Sequence, residues 1–328
     1  MRRAVAGLII AFVIMHVLFF VLKYYVTGVP YALAARVHIL AMQQFIMICG
    51  TAFIWCQLSP AIDFFLTGSL QPERTRAICA QDVARALLIL MLVFTHLCSL
   101  FYYIWVGAEP NVLAVISLTS VAIYIHVIFF LLLFLLIQAI CHIALRIDDS
   151  RFDFVRPLIM NELLHRIFAV ALAIAFVVAG LWVTSLPPVI YRVTVPIKNL
   201  PQAQEGFRIA LLSDLHIGPT VGRAKVERTV AITNALKPDL IAIAGDLADG
   251  FVQHLYGAAL PLRNLSSKHG TYFATGIVRG HAMDYKKALR GCRRNDTIII
   301  LMHQPNAARM LLNDVETAED VDLILSGQ

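Results

Sequence analysis

Charge is scarce in this chain. Only 15% of its 328 residues are Asp, Glu, Lys or Arg, while 59% are hydrophobic. That balance excludes an ordinary soluble globular protein. Cysteine is scarce as well: there are six, and Cys292 alone lies beyond residue 191. A disulfide framework and a cysteine-rich zinc ribbon are both excluded from the C-terminal part. There is no internal repeat, no low-complexity tract and no basic stripe interleaved with aromatics. The net charge of +6 thus gives no ground for a nucleic-acid partner.

The hydrophobic excess sits in residues 1–191, in five uncharged runs at 4–22, 37–62, 86–108, 110–145 and 167–191. Each reaches the roughly 18–20 residues needed to cross a hydrocarbon core of about 30 Å. The pattern predicts a multi-pass helical bundle whose partner is the lipid bilayer. The first run is too long for a cleaved signal and lacks a small-residue cleavage site, so it reads as a retained anchor. The fourth is longer than a span needs, so its start reads as a loop or as helix projecting from the bilayer. Arg2, Arg3, Arg74, Arg76, Arg85, Arg146, Arg151, Arg156 and Arg166 flank the runs on one side, against Lys23 and Arg36 on the other. Basic flanks mark the cytoplasm. The N-terminus is therefore expected to be cytoplasmic and residues 192–328 extracellular or lumenal. Two glycosylation sequons, Asn264-Leu265-Ser266 and Asn295-Asp296-Thr297, agree with that side.

His16, His96, His126 and His142 lie inside the apolar runs. Intramembrane ionisable groups are candidates for function by default. His96 and His126, if level on adjacent helices, would suit a haem or a proton relay in a transport bundle. The favoured reading is neutral imidazoles hydrogen-bonded within the bundle.

Beyond Pro187-Pro188 the pattern changes. Residues 189–197 alternate apolar and polar and predict a strand. Further strands are predicted at 208–212, 240–244, 270–274, 297–301 and 321–325, with helices at 223–235, 284–289 and 306–312. Strands alternating with helices make an α/β domain. The first two strands after the lead-in end in Ser213-Asp214-Leu215-His216 and Gly245-Asp246-Leu247-Ala248-Asp249-Gly250. A strand that stops at a carboxylate puts it at the carboxyl edge of a sheet, where open α/β sheets bind ligands. Two such edges can bring Asp214, His216 and Asp246 to one ion. Their oxygen and nitrogen donors suit Mn, Fe or Zn. Taken singly, Asp214 and His216 also fit a strand-end turn and a surface histidine. Asp249 reads as a turn residue, and Ser213 as serving strand-end geometry.

Asp-x-His, then Gly-Asp-x-x-Asp-Gly, then a strand ending at Gly276, then a strand ending in His303-Gln304-Pro305 resembles the calcineurin-like metallophosphoesterase superfamily. The lead-in Tyr191-Arg192-Val193…Pro196-Ile197…Gly206-Phe207-Arg208 and the helices before it narrow this to membrane-anchored members. The resemblance covers nearly the whole chain. It implies residues 1–191 as about five membrane helices, followed over 192–328 by a layered αββα-type metallophosphoesterase domain. It implies two divalent ions, with Asp214 and His216 on the first, Asp246 bridging both and His303 on the second. The implied reaction is hydrolysis of a phosphoric ester of unknown identity by a metal-bridging hydroxide, with no protein nucleophile.

Two motifs depart from the family pattern. After Gly276 the family has Gly-Asn-His-Asp or Gly-Asn-His-Glu, whereas this chain continues Ile277-Val278-Arg279. Where the family has Gly-His-x-His, the chain reads Gly327-Gln328. The domain is thus incomplete, and no residue is assigned as catalytic acid. His281 follows Gly280, but nothing fixes it as a substitute. The changes resemble excised blocks, since Gly276 leads into Arg279-Gly280-His281-Ala282-Met283-Asp284, similar to a segment normally found downstream. An impaired hydrolase is expected. The alternative is a non-catalytic truncated form acting as a membrane or interaction protein, as a homo-oligomer or with a full-length form.

Overall fold

The computed structural model describes residues 2–25, 29–69, 74–99, 112–148, 150–151, 153–198, 200–249, 252–275, 285–293, 296–313 and 321–327. The chain divides into two compact units, Met1–Leu100 with Ile116–Thr184, and Phe101–Val115 with Ser185–Gln328.

The apolar runs form helices α1 (Arg2–Tyr25), α2 (Val29–Ser69), α3 (Arg74–Ser99), α4 (Val112–Ile147) and, after the short α5 (Arg156–Met160), α6 (Glu162–Ser185). Among the described residues, Val37–Asp63, Ala80–Cys98, Val112–Ile147 and Glu162–Ser185 are long and apolar enough to cross a membrane, and Ile10–Leu22 is a shorter apolar helix. Helix α4 is continuous over 36 residues. At 1.5 Å per residue that is roughly 54 Å, so the surplus of the fourth run is helix and not loop. The last helix begins earlier than expected, with Glu162 in its first turn, where a carboxylate complements the helix dipole. It stops before Pro187-Pro188, because proline cannot continue a helix.

The core of the first unit joins Ile54, Leu92, Tyr124, Val127, Phe130, Leu131, Ala169 and Ala173. Small residues let helix backbones approach closely inside lipid, and Ala169 and Ala173, four apart on α6, are fully buried. Gly50 on α2 does the same against α4: a Cβ there would overlap the Tyr124 side chain. The Tyr124 hydroxyl donates to the Met47 carbonyl at 2.6 Å. Phe129, Leu132 and Leu136 on α4 are each more than half exposed, as a lipid-facing surface requires.

In the second unit β1 (Ile209–Leu212), β2 (Leu240–Ala244) and β3 (Thr271–Ala274) form a parallel sheet in the order β1-β2-β3. Helix α7 (Arg223–Ala235) crosses from β1 to β2. Helix α8 (Val252–Ala259) and the 3-10 turn Leu260–Asn264 cross from β2 to β3. Then come α9 (Tyr285–Ala288), β4 (Ile299–Met302), α10 (Pro305–Leu312) and β5 (Leu323–Ser326), with β4 and β5 paired in parallel as a second small sheet. Strand β4 lies against β2 and β3. Central strand β2 is buried from Ile241 to Ala244. Ile217, Val226, Val230 and Ala258 form the core beneath α7 and α8.

Two expectations fail. Residues 189–197 are not a strand, and Val189, Tyr191 and Val193 stand 73%, 85% and 82% exposed. Alternation makes a strand only where a neighbour supplies the ladder, and among the described residues none pairs here. Helix α8 was not expected. Its signal is the spacing of Leu255, Ala258 and Ala259, which turn toward the core. The stretch is short and carries Gly257 inside it, which hid its period.

Candidate metal centre

Every candidate donor follows the carboxyl end of a strand: Asp214 and His216 after β1, Asp246 after β2, and His303 after β4. The loops turn sharply. Asp214 (φ 53°), His216 (φ 46°) and Asp246 (φ 39°) lie in the left-handed region, as does Gly245 (φ 73°). Such conformations cost on the order of 1–3 kcal/mol each for a non-glycine residue and persist only where the surroundings impose them. Here the two loops bind each other. His216 N donates to Asp246 O (3.0 Å), Ile217 N to Leu247 O (3.0 Å) and Asp249 N to Ile217 O (2.9 Å). Ile217 and Ala248 pair as an isolated bridge. The Ser213 hydroxyl donates to Ala244 O at 3.0 Å and contacts the Asp214 carboxylate, which ties the ends of β1 and β2 together.

One donor atom each from Asp214, His216 and Asp246 lies within 4.8 Å of the others. His216 Nε2 is 3.9 Å from Asp214 Oδ1 and 4.0 Å from Asp246 Oδ2. His303 Nε2 is 3.4 Å from Asp246 Oδ2, and its Nδ1 donates to Ala244 O at 3.0 Å. Asp246 thus stands between the two imidazoles. His303 is buried, whereas the side chains of His216 and Asp246 are each 44% exposed, so the centre opens to solvent. Gly245 is required twice. Its φ is left-handed, and a Cβ there would overlap the His303 ring. Gly327 packs against Ser213 and His303 with the same intolerance of a Cβ.

Asp249 is more than a turn residue. His216 Nδ1 donates to its Oδ1 at 2.8 Å. That bond fixes the tautomer and leaves the Nε2 lone pair facing Asp214 and Asp246, as a carboxylate behind a metal-ligating histidine does. The bond to Asp249 raises the His216 pKa above its ordinary value. Desolvation opposes it, and the charges of Asp249, Asp246 and Asp214 add to the rise. The signal was present in the sequence, since Asp246 and Asp249 share one tight loop, but its partner is set by the approach of the other loop.

The donor set therefore fits a divalent ion: two carboxylates and one imidazole converge, with the imidazole pre-aimed. For a second ion the described residues supply Asp246 and His303. Residues 276–284, with the altered motif and His281, lie outside the described residues, as does Asn295.

The helix histidines do not converge in this way. His96 Nδ1 donates to Gln44 Oε1 (2.7 Å) and its Nε2 pairs with the Thr51 hydroxyl (3.0 Å). His126 Nδ1 donates to Ala122 O in its own helix (2.8 Å). Both nitrogens of His96 are occupied, so it offers no axial haem ligand. His16 pairs with His38 at 2.8 Å.

The chain is 33% identical to a Caenorhabditis elegans protein named as a metallophosphoesterase, over all of this chain and 84% of that one. This chain belongs to the metallophosphoesterases. It is also similar to the transmembrane protein with metallophosphoesterase domain of Danio rerio, 27% identical over 90% of this chain and 77% of that one. The Bos taurus protein of the same name is 31% identical over 68% of this chain and 62% of its own length. No family model and no solved structure matches. The Caenorhabditis alignment runs over 413 residues and this chain has 328, so that relative carries residues within the aligned region with no counterpart here. As a metallophosphoesterase the chain comes from a family of phosphoric ester hydrolases that use divalent metal, and its apolar helices agree with the transmembrane naming.

Proposed function

We propose that this metallophosphoesterase is a membrane-anchored, metal-dependent phosphoester hydrolase with reduced turnover. The convergence of Asp214, His216 and Asp246 behind the Asp249–His216 bond carries the reading. These three residues would hold one divalent ion of the Mn, Fe or Zn type, and Asp246 with His303 would contact a second. Bound there, such an ion supplies Lewis-acid polarisation of a phosphoryl oxygen and activation of water near neutral pH. The protein's own part is positional. Asp249 aims His216, Ala244 O aims His303, and the left-handed loop residues hold both carboxylates at the open edge. Reduced turnover follows from the thin second donor set among the described residues and from Ile277-Val278 standing where the family pattern has Asn-His, whose histidine assists the leaving group. The unit stands on the extracellular or lumenal side, by the arginine distribution.

Elemental analysis of the purified full chain tests this, with Asp246→Asn as control. Metal bound to the wild type and lost in the variant, with slow hydrolysis of a nitrophenyl phosphate ester that disappears with it, is the expected result. Hydrolysis that persists in Asp246→Asn would sink the proposal. A second reading, a non-catalytic truncated form that associates with its own kind or with a full-length form, draws on β3. Tyr272 and Phe273, on opposite faces of that strand, are 55% and 49% exposed, and exposed large apolar side chains invite a partner. Metal-free protein that still inserts stably in membranes would favour it.

A further inference from the structure

We propose that Asn264 is a site of N-linked glycosylation, an inference that rests on the non-cytoplasmic placement of the second unit proposed above. Asn264 ends the 3-10 turn Leu260–Asn264, and Leu265 after it is extended (φ −60°, ψ 130°). An extended residue places its two neighbours on the same side. Leu265 packs against the Ile217, Val226, Val230 and Ala258 core, so Asn264 and Ser266 face out, and both are exposed.

The turn is held without using the groups a glycosyl transferase needs. Asn234 on α7 donates through Nδ2 to the Asn264 carbonyl (2.7 Å) and accepts through Oδ1 from the Ser266 amide (2.9 Å). Both bonds go to backbone, so neither engages the Asn264 carboxamide or the Ser266 hydroxyl. The other sequon differs. Thr297 donates its hydroxyl to Gln204 Oε1 at 3.3 Å. The donor substrate is an oligosaccharide on a lipid diphosphate, delivered by a membrane transferase. Asn264 Nδ2 forms a bond to the anomeric carbon, the bond from that carbon to the diphosphate breaks, the lipid diphosphate leaves, and the Nδ2 proton passes to the transferase's base. The sequon precedes the amino end of β3 and touches the carboxyl end of α7, just ahead of the amino end of β2. The metal donors follow the carboxyl ends. A glycan here leaves the metal centre open.

The full chain, tagged at its C-terminus and expressed in eukaryotic secretory cells, gives the test. Peptide-N-glycosidase should lower the apparent mass in one step. The step should vanish in Asn264→Gln and in Ser266→Ala, remain in Ser266→Thr, and remain in Asn295→Gln. Metal content equal to wild type in Asn264→Gln shows that the loss is not misfolding. Ser266→Ala keeps the amide bond to Asn234, so it removes the sequon without removing the clamp. A step that survives Asn264→Gln overturns the assignment, as does no step in the wild type. Protease added to sealed microsomes separates the causes. A protected tag without a step means the orientation stands and the glycan is wrong, whereas a digested tag means the orientation is wrong and the glycan falls with it.

Discussion

At the scale of single residues, the centre depends on how one imidazole is held. His216 donates to Asp249 and turns its free nitrogen toward two carboxylates. Asp249→Asn should weaken metal binding by about 10–100-fold, the usual effect of losing such a partner, with little change in fold. Calorimetric titration with zinc or manganese measures this. The pH dependence separates aiming from mere packing. Protons compete with metal for His216, so affinity should fall as pH falls through the raised pKa, and the midpoint in Asp249→Asn should move to lower pH. In metal-free protein the sign is opposite. Stability from the raised His216 pKa is fully present below its ordinary value of 6.5 and is lost as pH rises through the folded-state value. Gly245→Ala should be worse than any surface change. It puts a side chain at φ 73° and into the His303 ring, costing on the order of 1–3 kcal/mol from the backbone alone. Thermal melting of the purified variant reports it.

At the scale of elements, the loops after β1 and β2 act as one piece. Ile217 is fully buried, pairs with Ala248 and anchors the core under α7 and α8. Ile217→Ala should cost about 2–5 kcal/mol, as isoleucine truncations in cores do, and should release both metal loops together. Hydrogen exchange at the amides of His216 and Asp249, which donate across the link, would show local opening before the rest of the sheet. In the membrane unit the corresponding junction is Gly50 against Tyr124. Gly50→Val overfills it and should cost about 1–3 kcal/mol, seen as a lower melting temperature in detergent. The fate of residues 189–197 is also decided at this scale: their alternation suits a strand, but pairing needs a neighbour, and none of the described strands pairs with them.

At the scale of the whole molecule, two kinds of solvent shape one chain. Helices with exposed Phe129, Leu132 and Leu136 need hydrocarbon, so the protein should stay in the membrane pellet through alkaline carbonate washing. Its release into the supernatant would contradict the spanning reading. The long apolar helices, five of the strands, α7 and the candidate donors were legible in the sequence because each is a local pattern. Apolar length marks a span, strand runs end at Asp214 and Asp246, and α7 carries its own period and stops. Local pattern could not show that Asp249 holds His216, that β4 delivers His303 to within 3.4 Å of Asp246, or that Gly245 is small because His303 lies over it. Those facts join residues far apart along the chain, so they exist only once the strands are aligned and their carboxyl ends brought to one edge. Composition and motif determined the class of this protein and pointed to its candidate donors. Their distances, tautomers and backbone strain were decided by the packing of one loop against another, which no stretch of sequence contains by itself.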